Sequence, residues 1–219
     1  MKVGIFGSGM VGKALASKLA ELGHEVLVSS RHPENLKGWL AQGGARLRVG
    51  SLAETAAHGE ILFNAVNGKN SLEALAAAGV DDLKGKILVD ISNPLVFSPG
   101  MPPSFFVSNT DSLGEQIQRA YPQVRVVKTL NTVTANLMVN PRGLADGDHA
   151  IFVSGNDAQA KAKVVELLTD WFGWKHVIDL GDITTARAAE MYLALWLRLR
   201  GVIGTNMFNI KIVREAGEF

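Results

Sequence analysis

Six residues near the start of the chain, Gly7-Ser8-Gly9-Met10-Val11-Gly12, carry the spacing G-x-G-x-x-G. Glycine has no Cβ, so it can turn the chain sharply and let backbone approach a bulky ligand, although the same spacing also occurs in purely structural turns. The flanking residues decide between the two. Upstream, Lys2 to Phe6 is a short apolar run; downstream, Val11, Leu15, Leu19 and Leu22 recur at helical spacing. Strand, glycine turn and helix in that order predict a dinucleotide cradle. Gly7 makes the turn, Gly9 admits the pyrophosphate and Gly12 lets helix and strand pack closely. The helix N-terminus that follows offers unpaired N–H groups and partial positive charge to phosphate.

In an NAD site the end of the second strand, about 20 residues after the glycines, carries Asp or Glu for the ribose hydroxyls. Here the run Glu25 to Ser29 leads into Ser30-Arg31-His32. A carboxylate would repel an added phosphate, whereas an arginine grips it with two charge-assisted hydrogen bonds and a serine hydroxyl adds another. These residues predict NADP(H), against the plainer alternative that Arg31 is a solvated loop residue. His32 is weighed evenly between a place at the adenine or phosphate and simple solvation.

Other chemistry is sparse. The 219 residues include no cysteine, which excludes disulfides, thiolate nucleophiles and thiolate metal sites and fits a reducing cytoplasm. The five histidines, His24, His32, His58, His149 and His176, have no metal-ligand spacing, so no metal site is expected. No G-x-S-x-G elbow supports a hydrolase. A small-molecule dehydrogenase or imine reductase often uses a lysine on a C-terminal helix, and Thr184 to Asn209 contains none. Arg187 and Glu190, three residues apart, read as a surface ion pair or else as a contact for an anionic substrate. No catalytic side chain is predicted.

These residues need a scaffold. After the first two strands come a helix over Pro33 to Gln42 and strands over Arg46 to Val49, Ile61 to Val66 and Lys86 to Asp90, with helix formers at Asn70 to Ala78. Ser112 and Glu115 make a capping-box pattern before a helix to Ala120; strands follow at Val124 to Thr129 and His149 to Ser154. Asp157 to Phe172 reads as a helix and Lys175 to Asp179 as the last strand. Thr184 to Val213 reads as mostly helical, broken near Gly201 or Gly204. The alternation predicts an α/β fold: a doubly wound, mostly parallel Rossmann-type sheet with a helical C-terminal extension. Residues 1–180 form the dinucleotide-binding domain with added C-terminal strands, and 181–219 a helical region for the acceptor pocket and a dimer contact.

The proline- and phenylalanine-rich stretch from Asn93 to Thr110, with Pro94, Pro99, Pro102, Pro103, Phe97, Phe105 and Phe106, is long for a connection and leaves the carboxyl edge of the sheet. It is expected to be a lid or acceptor-pocket wall, or else a dimer contact. Basic and acidic residues nearly cancel at 22 and 21, which argues against a nucleic-acid partner. No leader precedes the first strand, and Arg198 and Arg200 interrupt the apolar stretch Met191 to Phe208 too deeply for a membrane span. That stretch is apolar on more than one face, which predicts a homodimer. Trp171, Trp174 and Trp196 read as packing residues.

With the glycine fingerprint, the Ser30-Arg31 pair, Asn131-Thr132-Val133-Thr134-Ala135 and Asp179-Leu180-Gly181, the chain resembles the deazaflavin-dependent NADP oxidoreductases over residues 1 to about 210. It is similar also to the reductase domains of the six-transmembrane metalloreductases. The resemblance implies hydride transfer between NADP(H) and a deazaflavin, a flavin or a similar planar acceptor laid against the nicotinamide. It implies phosphate contacts from Ser8, Gly9, Met10 and Val11, ribose-phosphate contacts from Ser30 and Arg31, and Val66, Asn67, Asn93, Pro94 and Ala135 along the rest of the cofactor. Asn131 and Thr134 stand where some deazaflavin enzymes carry histidine and proline, so the acceptor stays open. The alternatives are a dehydrogenase or imine reductase positioned by Asn131 or Tyr192, and a non-catalytic NADP(H) sensor.

Overall fold

A computed structural model of the chain describes residues 1–98 and 100–215. Its first half alternates strand and helix: β1 (Lys2–Phe6), α1 (Met10–Glu21), β2 (Glu25–Ser29), α2 (Lys37–Gly43), β3 (Leu47–Gly50), α3 (Leu52–His58), β4 (Ile61–Asn64), α4 (Ser71–Ala78), α5 (Val80–Leu83) and β5 (Ile87–Asp90). A small antiparallel hairpin, β6 (Leu95–Val96) with β7 (Ser104–Phe105), follows β5. Then come α6 (Leu113–Ala120), β8 (Arg125–Thr129), α7 (Ala135–Val139), β9 (Ala150–Ser154), α8 (Ala158–Glu166), β10 (His176–Asp179) and α9 (Ala186–Ile203).

The main sheet runs β10-β9-β8-β5-β4-β1-β2-β3 and is parallel except where β9 meets β8. The order reverses direction between β1 and β4, which opens a crevice at their carboxyl ends. The strands are short and buried because helices cover both faces: Ile61 and Phe63 enter one core with Leu15, Leu19 and Val127, while Leu62 enters the other with Leu88, Val126 and Ile117. Burying each such side chain contributes about 1.5–3 kcal/mol.

Several boundaries shift for local reasons. The helix expected over Pro33 to Gln42 is a 3-10 turn at Pro33–Leu36 running into α2. Helix α3 adds an element the hydrophobic periodicity did not announce, started by a full capping box between Ser51 and Glu54. The helix read from Asp157 onward widens at Leu167–Trp171 into a π turn. The tail departs most: helicity ends at Gly204, whose φ of 76° makes a left-handed cap, and Asn209 then hydrogen-bonds Ala150 O at 2.8 Å. Trp174 is buried and donates to Met138 O, and Trp196 stacks on Phe208. Pro99 lies outside the described residues. Among those described, no helix is long and apolar enough to cross a membrane.

Candidate functional site

The turn between β1 and α1 is shaped by its glycines. Gly7 has φ 101°, and a Cβ on Gly12 would fall 1.9 Å from Gly7 O, so only glycine lets α1 start this close to the strand. A Cβ on Gly9 would meet nothing within 4 Å. Gly9 is also the N-cap of α1 with no side chain bonded to the helix end, and no acidic residue lies in the first turn. The site therefore presents uncapped N–H groups, without local negative charge, toward open space, which suits a phosphate.

Hydroxyls tie this turn to the end of β2. Ser29 Oγ accepts from Gly7 N–H at 3.1 Å, and Ser8 Oγ donates to Ser30 Oγ at 2.9 Å. Ser30 Oγ also accepts from His32 N–H at 3.1 Å, which leaves its own proton to donate outward. Arg31 is exposed and has no carboxylate partner among the described residues. His32 is exposed and its ring meets Glu34 at 3.3 Å.

On the other side of the crevice the exits of β4 and β5 and the first turn of α1 surround a cavity of about 200 Å³. Val11, Val66, Ile91, Leu95 and Phe97 give it apolar walls, and Asn67, Ser92 and Asn93 add neutral polar groups. The cavity thus gathers Val11, Val66, Asn67 and Asn93 of the expected site residues, together with Leu95 and Phe97 from the proline-rich stretch. Pro94 and Ala135 are not on its wall: Pro94 O accepts from Phe106 N–H in the hairpin, and Ala135 is buried at the start of α7, which packs on α1.

Beneath the cavity lies a charged cluster. Register places Asn64 beside Asp90 and Asp90 beside Lys128, so three adjacent strands end in one polar row. Lys128 Nζ meets Asp90 Oδ2 and Glu190 Oε1, each at 2.8 Å, and donates to Ser92 O. Asp90 Oδ1 accepts from Asn64 and from the Ser92 hydroxyl and N–H. Glu190 accepts from the first N–H groups of α6, Leu113 at 2.8 Å and Gly114 at 3.0 Å. Burial pulls the Lys128 pKa down, but Asp90 and Glu190 outweigh it and hold it above the ordinary lysine value.

Glu190 therefore has no part in the surface pair with Arg187 that the spacing suggested. Arg187 instead grips Glu115 with two hydrogen bonds, one of them at 2.8 Å. That guanidinium, assisted by the Ser112 hydroxyl and opposed by burial, holds the Glu115 carboxyl below its ordinary value. Asn93 and Asn131 exchange reciprocal bonds, Asn93 Nδ2 to Asn131 O at 2.9 Å and Asn131 Nδ2 to Asn93 Oδ1 at 3.0 Å; Asn131 also donates to Ala189 O. Ser29, Gly68, Ser92 and Lys128 were missed by the sequence reading, and Glu190 was named with a different partner. A lysine inside the apolar run Val124 to Thr129 was the one available signal.

A crystal structure from Arthrobacter sp. FB24, titled as a candidate F420-dependent NADP reductase, is 52% identical and superposes with a TM-score of 0.94, covering 98% of this chain and 100% of that one. The chain belongs to the coenzyme F420-dependent NADP oxidoreductase family. The family profile, NADP oxidoreductase coenzyme F420-dependent, matches residues 2–94. The metalloreductase STEAP3 of Rattus norvegicus is 32% identical over 199 residues, 90% of this chain but 37% of that protein, so the chain spans about a third of this curated relative. A reductive aminase from Aspergillus terreus, solved with NADPH4, cyclohexanone and allyl amine, shares the fold at TM-score 0.65 and 21% identity over 93% of this chain and 62% of that one. As a member of this family, the chain is an NADP(H)-dependent oxidoreductase.

Proposed function

We propose that the enzyme passes a hydride between NADPH and a planar ring acceptor, a deazaflavin or a flavin. The observation that carries this reading is the cavity at the exits of β4 and β5 beside α1: none of the described residues on its wall is titratable. Such a pocket can orient a ring, and its wall offers no acid or base. The cofactor, when bound, supplies the hydride, and a ring acceptor exchanges its own proton with solvent, so the protein need not provide one. The turn at Gly7-Ser8-Gly9-Met10-Val11-Gly12 holds the pyrophosphate, Ser30 and Arg31 hold the ribose phosphate with His32 at its edge, and Val66, Asn67 and Asn93 receive the nicotinamide.

The described part of the C-terminal region, 181–215, completes the acceptor side and forms a homodimer contact. A depression of about 610 Å³ lies along α9, lined by Leu197, Arg200, Gly201 and Thr205 with Met101. Met101 belongs to the same loop as Phe97, so this loop joins the depression to the cavity. Leu195, Val202 and Ile203 on α9 are 55%, 87% and 50% exposed, an apolar surface that a second copy would cover. Light scattering at micromolar concentration should give the mass of a dimer.

Reduction of an imine, as in the reductive aminase, is the second reading. It would rest on Tyr192 on α9, a phenol outside the wall of the cavity whose pKa burial pushes up. The deciding experiment titrates the protein with NADPH and NADH, then follows NADPH oxidation with a deazaflavin, FAD, FMN and a carbonyl-plus-amine panel. Turnover with one ring acceptor and none with the panel is expected; the converse replaces the first reading by the second.

A further inference from the structure

The Asp90–Lys128–Glu190 cluster needs a reason to exist. Three charges buried on three elements add little net stability over well-packed apolar residues. Nor is Lys128 a proton donor to substrate, because it has no exposed surface and Asp90, Glu190 and the Ser92 carbonyl use all three of its protons. What sets the cluster apart is where its other bonds go. Asp90 holds Ser92 by N–H and hydroxyl, and Lys128 holds it by the carbonyl, so the residue on the cavity floor is fixed on every polar atom. The next residue, Asn93, presses its carbonyl against the β4 exit so closely that a Cβ on Gly68 would lie 2.0 Å from it. Its side chain is locked to Asn131, which also binds Ala189 O, the neighbour of Glu190. Two consecutive residues of α9 are thereby tied to the floor of the cavity.

We propose that Lys128, Asp90 and Glu190, with the Asn93–Asn131 pair, are positioning residues that set the cavity floor and the seat of α9. They govern the reacting half of the bound dinucleotide and leave its adenosine half alone. The inference rests on the cavity receiving the nicotinamide. Glu190→Gln tests it, because an amide keeps one acceptor but turns a donor toward either the Lys128 ammonium or an α6 N–H, and the seat of α9 is disturbed.

The comparison is between NADPH and its fragment 2′-phospho-ADP-ribose, which lacks the nicotinamide, with single-turnover hydride transfer measured alongside. The expected result is a Kd for NADPH raised about tenfold, slowed transfer and a fragment Kd within about twofold of wild type. Equal weakening of both ligands, or no change in either, overturns the proposal. Asn131→Ala, which removes no charge, makes the same comparison should E190Q fail to fold. If wild-type protein binds NADPH no better than the fragment, the nicotinamide does not enter the cavity, and the functional reading falls together with this one.

Discussion

Adding one methyl group at two glycines of the phosphate turn should separate its fold from its function. In Gly9→Ala the new carbon meets nothing within 4 Å, and the backbone, at φ −72° and ψ −168°, is open to alanine. Alanine is a poorer N-cap than glycine by up to about 1 kcal/mol. The smaller entropy of the unfolded chain returns about 0.4–1 kcal/mol. Stability should therefore stay within about 0.5 kcal/mol and Tm within about 2 °C. The methyl would occupy the space through which the pyrophosphate approaches. Losing two backbone N–H bonds to a charged phosphate, each worth about 1.5–3 kcal/mol, weakens NADPH at least about a hundredfold. Gly12→Ala is the opposite case. Its Cβ would lie 1.9 Å from Gly7 O, so α1 must retreat by about 1.5 Å to reach ordinary contact, at a cost of about 1–3 kcal/mol or more. Both stability and binding then fall. Calorimetric titration with NADPH, paired with thermal unfolding of the free protein, reads both quantities. A G9A protein that binds like wild type would refute the phosphate reading, and one that melts far below wild type would refute the open geometry at Gly9.

Arg31→Ala should raise the Kd for NADPH about ten- to a hundredfold and leave that for NADH unchanged, as fluorescence titration would show, because a bidentate charge-assisted grip is lost. Asp111 pairs with Arg119 at 2.7 Å, and this guanidinium lowers its carboxyl from 3.8 to about 2. A depressed folded pKa contributes stability above the unfolded value that disappears as pH falls through the folded one. The urea midpoints of wild type and Asp111→Asn should therefore differ at neutral pH and converge between about pH 4 and pH 2. Thr132 is 1% exposed and its hydroxyl has no partner among the described residues. Thr132→Val should then leave Tm unchanged or raise it, by up to about 1 kcal/mol of stability, whereas a marked loss would show that the hydroxyl is bonded.

The sheet was legible because its strands are buried on both faces and read as apolar runs separated by turn residues. The turn at Gly7, Gly9 and Gly12 was legible because its strand, glycines and helix are contiguous in sequence. Three features were hidden, each for a different reason. Arg187 and Glu190 have helical spacing for a mutual pair, yet α6 offers Glu115 to one and two free N–H groups to the other, which only tertiary packing reveals. The end of α9 depended on which of two glycines would adopt positive φ; Gly204 does, and Gly201 stays helical. Lys128 gave no sign of its role, because its two carboxylate partners come from positions 90 and 190. Long-range charge pairing leaves no periodic trace.

That hidden lysine bears on the chemistry. A dehydrogenase that protonates its substrate would place a lysine where a proton can leave it, in a wall of the reaction cavity. Here Lys128 lies beneath the floor, its protons committed and its pKa raised, while the described wall is neutral. The charges are spent on holding Ser92 in place, and the neutral Asn131 holds Asn93. A site arranged in this way can accelerate a reaction through orientation, and it suits an acceptor that manages its own proton. For a ring acceptor, the pH dependence of transfer should follow the acceptor. For an imine, it would have to follow a protein group outside this wall, and Tyr192 is the residue to replace first.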